Sequence, residues 1–322
     1  MILGDLGAEI WKIEKLGTGD EVRNWVPPSI NGQSCYYLCT NRNKKSIALN
    51  LAHPQGQDLA RKLASKADVL LENFKTGNMA KFGLDYESLE KINKRIIYCS
   101  VTGYGSTGPY ANDPGYDVIA EAVGGFMGTT GPVSGEPCKA AVAVTDLMTG
   151  LYAHGAILAA LIYRSKTGKG QKIDCNLLAT QISALVNLGS NYLNAGVEAK
   201  PWGTEHESIV PYQAFQTKDG RYYVIGCANN ASFSELCKLM NLERLDILPE
   251  FKTNQDRVKN RKRLLKILQD KFIEYDLEHW NTVLRTSSFP SGPVNTMKEA
   301  FDHPQVKHLG LVQDVAHEKA TS

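Results

Sequence analysis

The chain has 322 residues, of which 43% are hydrophobic and 22% are charged, and its formal net charge is +2 at pH 7. This composition is ordinary for a globular protein and gives no strong positive field, so we expect no nucleic-acid partner. The chain contains no run of about 18 uninterrupted apolar residues, which is the length that a membrane span requires. The seven cysteines form no CxxC pair and no metal-ligand spacing, so we expect reduced thiols, an intracellular compartment and no metal site.

The first half of the chain alternates strand and helix signals. Short apolar strands are predicted at residues 9–14, 45–51, 68–72 and 95–101, and Pro54 opens a helix after the second of them. Strands as apolar as the fourth (RIIYCSV) are typical of a parallel sheet that is covered on both faces. We therefore predict an α/β fold with a Rossmann-like parallel sheet covered by helices.

The second half changes character near residue 200. Before that point, a long helix is predicted from Asp146 to about Arg164, followed by a strand at 171–176. After it, the turn around Asp219 and several helical segments predict a small α+β unit. We predict a large domain at 1–200, a small α+β domain at 202–300, and the truncated start of a segment that returns to the large domain at 301–322.

The stretch from Gly103 to Gly108 fits the GxGxxG pattern of dinucleotide-binding proteins and follows a predicted strand. That interpretation requires a helix to begin there, with its N-terminus at the pyrophosphate. Pro109, Asn112 and Pro114 follow instead, which is typical of a loop. The pattern therefore disfavours a dinucleotide site.

Asp146 ends an apolar run and stands at the predicted start of the long helix. The ordinary interpretation is an N-cap, because aspartate is favoured there. The functional interpretation uses the same geometry. A helix N-terminus favours an ionised carboxylate, and such a carboxylate beside a glycine-lined cleft can attack a thioester carbonyl. The residues by themselves leave both interpretations open.

Seven segments between residues 3 and 178 resemble a single family. They are LGDLGAEIWKIE, NRNKKSIALNLAHPQG, ADVLLENFKTGNMAKFGLDYESL, IIYCSVTGYGSTGPY, PGYDVIAEAVGGFMGTTG, VAVTDLMTGLYAHGAILAAL and RSKTGKGQKIDCNLL. In this order they resemble the class III coenzyme A transferases, the formyl-CoA and carnitine-CoA transferase group. The resemblance implies a mitochondrial enzyme that moves CoA from succinyl-CoA to a dicarboxylic acid such as glutarate. It also implies an interlocked homodimer that uses CoA esters as substrates and holds no permanently bound cofactor.

The resemblance also assigns the site residues. It implies that Asp146 is the catalytic nucleophile, which passes through a mixed anhydride and an aspartyl-CoA thioester. The CoA-binding residues that it implies are Lys15, Leu49, Asn73, Phe74, Lys81, Phe82, Thr102 and Tyr104. Tyr36 and Tyr116 are expected in the substrate pocket. Thr102 and Ala52 each stand where the family has a lysine, which removes positive charge from the expected phosphate contacts.

Two alternatives stay open. The first is an α-methylacyl-CoA racemase of the same fold, which uses an aspartate and the histidine of a GHD triplet. Here the triplet is Gly115-Tyr116-Asp117, and tyrosine, with a pKa near ~10, is a poor replacement for histidine as a base. The second is a catalytically impaired CoA-binding isoform, because we expect the chain to lack the family's N-terminal strand and C-terminal segment.

Overall fold

The structure is a computed structural model that describes residues 1–315. These residues divide into two compact units, the first at 1–129 and 137–199, the second at 130–136 and 200–315. The predicted domain boundaries, and the CoA-binding and catalytic role that the resemblance gives to the large domain, stay predictions. The end of the predicted return segment, 316–322, lies outside the described residues.

The strands of the first unit form two parallel sheets and a short hairpin. They are β1 (Ile10–Lys15), β2 (Ser29–Ile30), β3 (Gln33–Ser34), β4 (Lys44–Leu49), β5 (Val69–Glu72), β6 (Ile97–Thr102) and β7 (Gln171–Asn176). β1 pairs with β4, and the second sheet has the order β5-β6-β7, with every pair in both sheets parallel. The predicted strands agree with the observed ones within two residues at either end.

Helices cover both faces of the β5-β6-β7 sheet. The helices of this unit are α1 (Ile2–Asp5), α2 (Cys35–Thr40), α3 (Pro54–Ala64), α4 (Tyr86–Ile92), α5 (Asp117–Val123), α6 (Phe126–Thr129), α7 (Val144–Thr167), α8 (Leu177–Ala184) and α9 (Val186–Ala195). Tyr98 of β6 packs with α3 and α4, whereas Ile97 and Cys99 pack with α7. Successive side chains of a strand point to opposite faces, so burial on both sides explains the apolar run of β6 and confirms the predicted fold class.

Arg164 fixes the end of α7 at the amino edge of that sheet. Its guanidinium donates to the main-chain oxygens of Asp68 at 3.2 Å and Arg95 at 3.0 Å, which precede β5 and β6. Asp146 lies earlier on the same helix by about 27 Å along the axis. The six residues of β6 span only about 17 Å. The start of α7 therefore lies beyond the carboxyl edge of the sheet.

Replacement of Arg164 by methionine is expected to lower the free energy of unfolding by about 2 kcal/mol. The side chain is buried, and it also donates to the Asp68 carboxylate at 2.7 Å. The variant leaves two main-chain oxygens without this donor. Urea unfolding of both proteins measures the difference. Lys166→Met, on the exposed side of the same helix, is the control, and equal midpoints for the two variants would contradict this role.

The second unit is a three-stranded antiparallel sheet with helices packed on it. Its strands are β8 (Tyr212–Gln216), β9 (Tyr222–Gly226) and β10 (Ser291–Pro293), in the order β10-β9-β8. Its helices are α10 (Asn230–Leu239), α11 (Asn254–Lys259), α12 (Arg261–Phe272), α13 (Leu277–Leu284), α14 (Met297–Asp302) and α15 (Pro304–His308). Phe215, Phe272 and Trp280 meet at its centre, where Phe215 and Phe272 stack at 4.8 Å. This architecture agrees with the predicted α+β character.

Candidate active site

The carboxyl ends of β5, β6 and β7 meet at one edge of the parallel sheet, where ligands of open α/β sheets bind. Asn73 and Phe74 follow β5, and Thr102 and Tyr104 end or follow β6. The two loops touch, because the Thr76 hydroxyl donates to the main-chain oxygen of Gly105 at 3.4 Å. The structure thus brings together four of the predicted CoA-binding residues.

The loop after β6 contains no helix between residues 103 and 116. A dinucleotide site would need a helix to begin there, so the structure supports the rejection of that interpretation. The loop crosses itself at Gly103 and Gly115. A Cβ atom on Gly103 would lie 2.7 Å from the Cα of Gly115, and a Cβ on Gly115 would lie 2.5 Å from the Cα of Gly103. Both glycines are therefore required by close backbone approach. Directly after the crossing, the chain continues into Tyr116 and Asp117.

A second group of predicted CoA-binding residues surrounds Phe82. Phe74 and Phe82 make an edge contact with ring centroids 6.4 Å apart, and Leu49 packs with Phe82 against the same core cluster. Lys15 stands opposite Leu49 in the register of β1 and β4. Lys15 and Lys81 are both exposed, so two ammonium groups are available for an anion on this side of the unit.

The two tyrosines predicted for the substrate pocket are both exposed. Tyr36 lies on α2, and Tyr116 immediately precedes α5. Trp25 contacts Tyr36 edge to face, with ring centroids 5.2 Å apart. Trp25 was not among the residues predicted for this pocket. The signal that could have found it is an exposed aromatic residue in a polar turn before Pro27, since surface tryptophans are enriched in binding sites.

The N-cap interpretation of Asp146 is wrong. α7 begins at Val144, and its N-cap, Ala143, offers no side chain for capping. Asp146 is the third residue of the helix. The capping acceptor comes from α5 instead, because Asp117 Oδ1 accepts hydrogen bonds from the main-chain N–H groups of Thr145 at 2.8 Å and Asp146 at 3.0 Å. A carboxylate at a helix N-terminus is stabilising, so Asp117 both caps α7 and lies against the nucleophile candidate.

Partial burial raises the pKa of Asp146 to about 6, and the negative charge of Asp117 adds to the increase. These two causes outweigh the lowering that a helix N-terminus produces. The residue is still exposed to solvent, which screens part of the effect. At pH 7, above this pKa, the carboxylate is mostly ionised. Asp146 is therefore more basic than an ordinary aspartate and still available as an anion.

A buried polar network holds the first turn of α7. The Thr145 hydroxyl donates to Gln181 Oε1 at 2.6 Å, and the Thr149 hydroxyl donates to the main-chain oxygen of Thr145 at 2.8 Å. All three side chains are buried. Because buried networks fix rotamers, the backbone that carries Asp146 is tied to both α5 and α8.

Among residues 1–315, no group of three or more histidine, cysteine, aspartate or glutamate side chains is arranged to hold a metal ion. In this described part of the chain, one helix, α7, is long and apolar enough by length and composition to cross a membrane. Its inner face packs on the sheet through Ala153, Ile157 and Ala160, as in the core helix of a globular unit. The predictions that no metal and no permanent cofactor is needed stay predictions.

A sequence model described as CoA-transferase family III matches residues 1–322. The chain therefore belongs to CoA-transferase family III. The predicted family and enzyme class are confirmed, and members of this class use CoA esters as substrates.

Among curated proteins, the chain is similar to "Succinyl-CoA:glutarate CoA-transferase" of Homo sapiens, with 51% identity over 98% of the chain and 72% of the relative. It is 40% identical to "Succinate--glutarate CoA-transferase" of Agrobacterium fabrum, over 99% of the chain and 81% of the relative. The solved structure of a CAIB/BAIF family protein from Brucella suis matches with a TM-score of 0.87 and 41% identity. That match covers 96% of the chain and 82% of the solved protein.

Proposed function

We propose that this protein transfers CoA from succinyl-CoA to glutarate, with Asp146 as the covalent nucleophile. The donor and acceptor rest on the names of the human and Agrobacterium relatives. The observation that carries the catalytic assignment is the Asp146 carboxylate at the start of α7, with a pKa of about 6 and no salt bridge within residues 1–315. An anion that is unpaired and more basic than usual is suited to attack a thioester.

In the proposed reaction, a carboxylate oxygen of Asp146 attacks the succinyl thioester carbonyl and expels the CoA thiolate, which leaves a mixed anhydride. The thiolate then attacks the Asp146 carbonyl, releases succinate and forms an aspartyl-CoA thioester. Glutarate attacks that thioester, and the thiolate returns to the glutaryl carbonyl, which frees Asp146. Each step exchanges one activated acyl bond for another, so the reaction needs no net input of energy.

We place the CoA molecule along the carboxyl edge of the sheet. Lys15 and Lys81 supply positive charge for its phosphates, and Phe74 and Phe82 supply apolar surface for the adenine. The Thr102 hydroxyl accepts a hydrogen bond from the N–H of Gly105 at 3.0 Å, and its own O–H stays available to donate to the ligand. That N–H is in turn used within the loop, so it is a poor choice as an oxyanion donor.

We also propose a homodimer. The outer face of α7 exposes an apolar stripe that includes Leu147, Leu151, Leu158 and Ile162. Exposed apolar surface of this extent is typical of an interaction site, and a second copy of the chain is the partner that the resemblance implies. The mitochondrial location that the resemblance implies also stays a prediction.

The test is to incubate the protein with succinyl-CoA and glutarate and to follow glutaryl-CoA by mass spectrometry. A parallel sample with succinyl-CoA alone is trapped with hydroxylamine or borohydride, and the adduct is mapped. Glutaryl-CoA together with an adduct on Asp146 supports the proposal. Bound CoA without turnover or adduct would indicate the impaired isoform, and deuterium exchange into a 2-methylacyl-CoA would indicate the racemase.

Replacement of Asp117 by asparagine is expected to shift the acidic limb of the kcat/KM profile to lower pH. The reactive form of Asp146 is the anion, so activity falls as pH drops through its pKa of about 6. The charge of Asp117 raises this pKa, and asparagine removes that charge while its side-chain oxygen can still cap α7. The measurement is kcat/KM between about pH 4.5 and 8.

Asp113→Asn is the matched control for this profile. It removes one negative charge from the loop that precedes Asp117, but Asp113 is exposed and is not among the causes of the raised pKa of Asp146. Its limb should coincide with that of the unmodified protein. An unshifted limb in Asp117→Asn would show that Asp117 does not tune the group that titrates.

A further inference from the structure

Glu121 is a buried acid that the proposed reaction does not use. It lies on α5 one turn after Asp117, and its side chain has no solvent exposure. One oxygen, Oε2, accepts a hydrogen bond from the main-chain N–H of Ala140 at 3.0 Å. The other, Oε1, is buried and accepts no hydrogen bond from any donor in the described part of the chain. Burial disfavours the charged form of an acid, so a buried oxygen without a donor points to a proton on Glu121.

The groups around Glu121 come from its own helix, a loop and two packed helices. Burial raises the pKa of Glu121, the N–H of Ala140 lowers it, the charge and side-chain hydrogen bonding of Asp117 raise it, and Lys139 lowers it. α5 also packs against α7 and α8. On those helices, the main-chain N–H groups of Thr145 and Asp146 bond to Asp117, and Gln181 packs against Gly124 at the end of α5. Among these groups, Asp117 is the one whose hydrogen bonding raises the pKa of Glu121, so it is the acceptor for a protonated Glu121.

We propose that Glu121 is a positioning residue of the transferase site, acting as a neutral acid whose Oε1–H donates to the Asp117 carboxylate while Oε2 holds the N–H of Ala140. Ala140 lies in the loop that leads into α7, and Asp117 caps α7 at Asp146. The two hydrogen bonds join the loop, the capping residue Asp117 and the helix turn that carries Asp146 into one hydrogen-bonded network. The catalytic consequence rests on the proposed function, whereas the protonation state does not.

Ionisation of Glu121 would break this hydrogen-bonded network. A second negative charge beside Asp117 repels it and weakens its hold on the N–H groups of Thr145 and Asp146. Because the pKa of Glu121 is raised in the folded protein, the neutral acid contributes stability at low pH, and this contribution is lost as pH rises through the folded pKa. The unmodified protein should therefore lose both stability and kcat on the alkaline side.

Two variants of the full chain separate a positioning role from simple packing. Glu121→Gln stays neutral, accepts from Ala140 and donates to Asp117, whereas Glu121→Leu fills the space and does neither. At pH 7 we expect Glu121→Gln to keep kcat within about threefold and Glu121→Leu to lose about thirtyfold or more, both with nearly unchanged KM for succinyl-CoA. The glutamine variant should also lack the alkaline decline in kcat and Tm. Glu87→Gln, exposed on α4, is the control.

A readout that does not depend on activity is the infrared carbonyl band of a protonated acid at pH 7, present in the unmodified protein and absent from Glu121→Gln. Equal damage in the two variants would show that the charge of Glu121 is required and would overturn the proposal. Full activity of Glu121→Leu, or no acid band assignable to Glu121, would also overturn it. If no CoA transfer is found, the proposed function fails, and the band and the alkaline Tm still decide the state of Glu121.

Discussion

Replacement of Asp146 by asparagine is expected to reduce CoA transfer at least about a thousandfold. The amide has nearly the same shape, but it cannot act as an anionic nucleophile toward a thioester carbonyl. The hydrogen bond from Asp146 to Asp117 uses the main-chain N–H, so it survives the substitution. The measurements are the rate of glutaryl-CoA formation at saturating succinyl-CoA and glutarate, and the protein mass after exposure to succinyl-CoA alone.

The fold should tolerate this substitution. It removes the repulsion between two neighbouring carboxylates, so the free energy of unfolding should change by less than about 1 kcal/mol. CoA should still bind with similar affinity, because the phosphate and adenine contacts lie on other elements. Asp270→Asn, at an exposed position of α12, is the control for loss of one carboxylate. More than about a tenth of the original rate in Asp146→Asn would contradict a covalent role.

The parallel sheet could be predicted because its signals are local. The apolar run of β6 and the proline that opens α3 each determine the structure of only the few residues around them. The start of α7 could not be predicted at Val144, because its cap comes from Asp117, on another helix. The break between α8 and α9 at Val186 is likewise marked by neither proline nor glycine. Tertiary contacts decide these boundaries, and a single sequence does not display them.

The candidate site could likewise be predicted only in part. That Asn73 and Thr102 share one edge follows from the parallel order of β5 and β6, and sequence patterns indicate such order. The role of each CoA-binding residue came only from the resemblance. Glu121 and Trp25 were missed, since an acid within a helix usually lies on a solvated face, and the contact of Trp25 with Tyr36 depends on the path of the intervening chain.

Replacement of Gly103 by alanine is expected to lower the free energy of unfolding by at least about 3 kcal/mol. The new methyl would lie 2.7 Å from the Cα of Gly115 and 3.1 Å from its nitrogen. These are main-chain atoms, so no rotamer change can relieve the contact. The loop must separate at the crossing, which moves Asp117 away from the start of α7 and lowers kcat as well. Gly115→Ala should act in the same direction, because it fills the same contact from the other side.

Gly128 provides the matched control. It lies on α6 in the same compact unit, and a Cβ atom there would meet nothing within 4 Å. Gly128→Ala should therefore be neutral or should stabilise the protein by up to about 1 kcal/mol. Urea unfolding and glutaryl-CoA formation measured on the three variants separate the effect of an added methyl group from the effect of the position at which it is added. If Gly103→Ala unfolds at the same urea concentration as Gly128→Ala, the crossing is not what holds Asp117 against α7, and its hydrogen bonds to Thr145 and Asp146 must be sufficient by themselves.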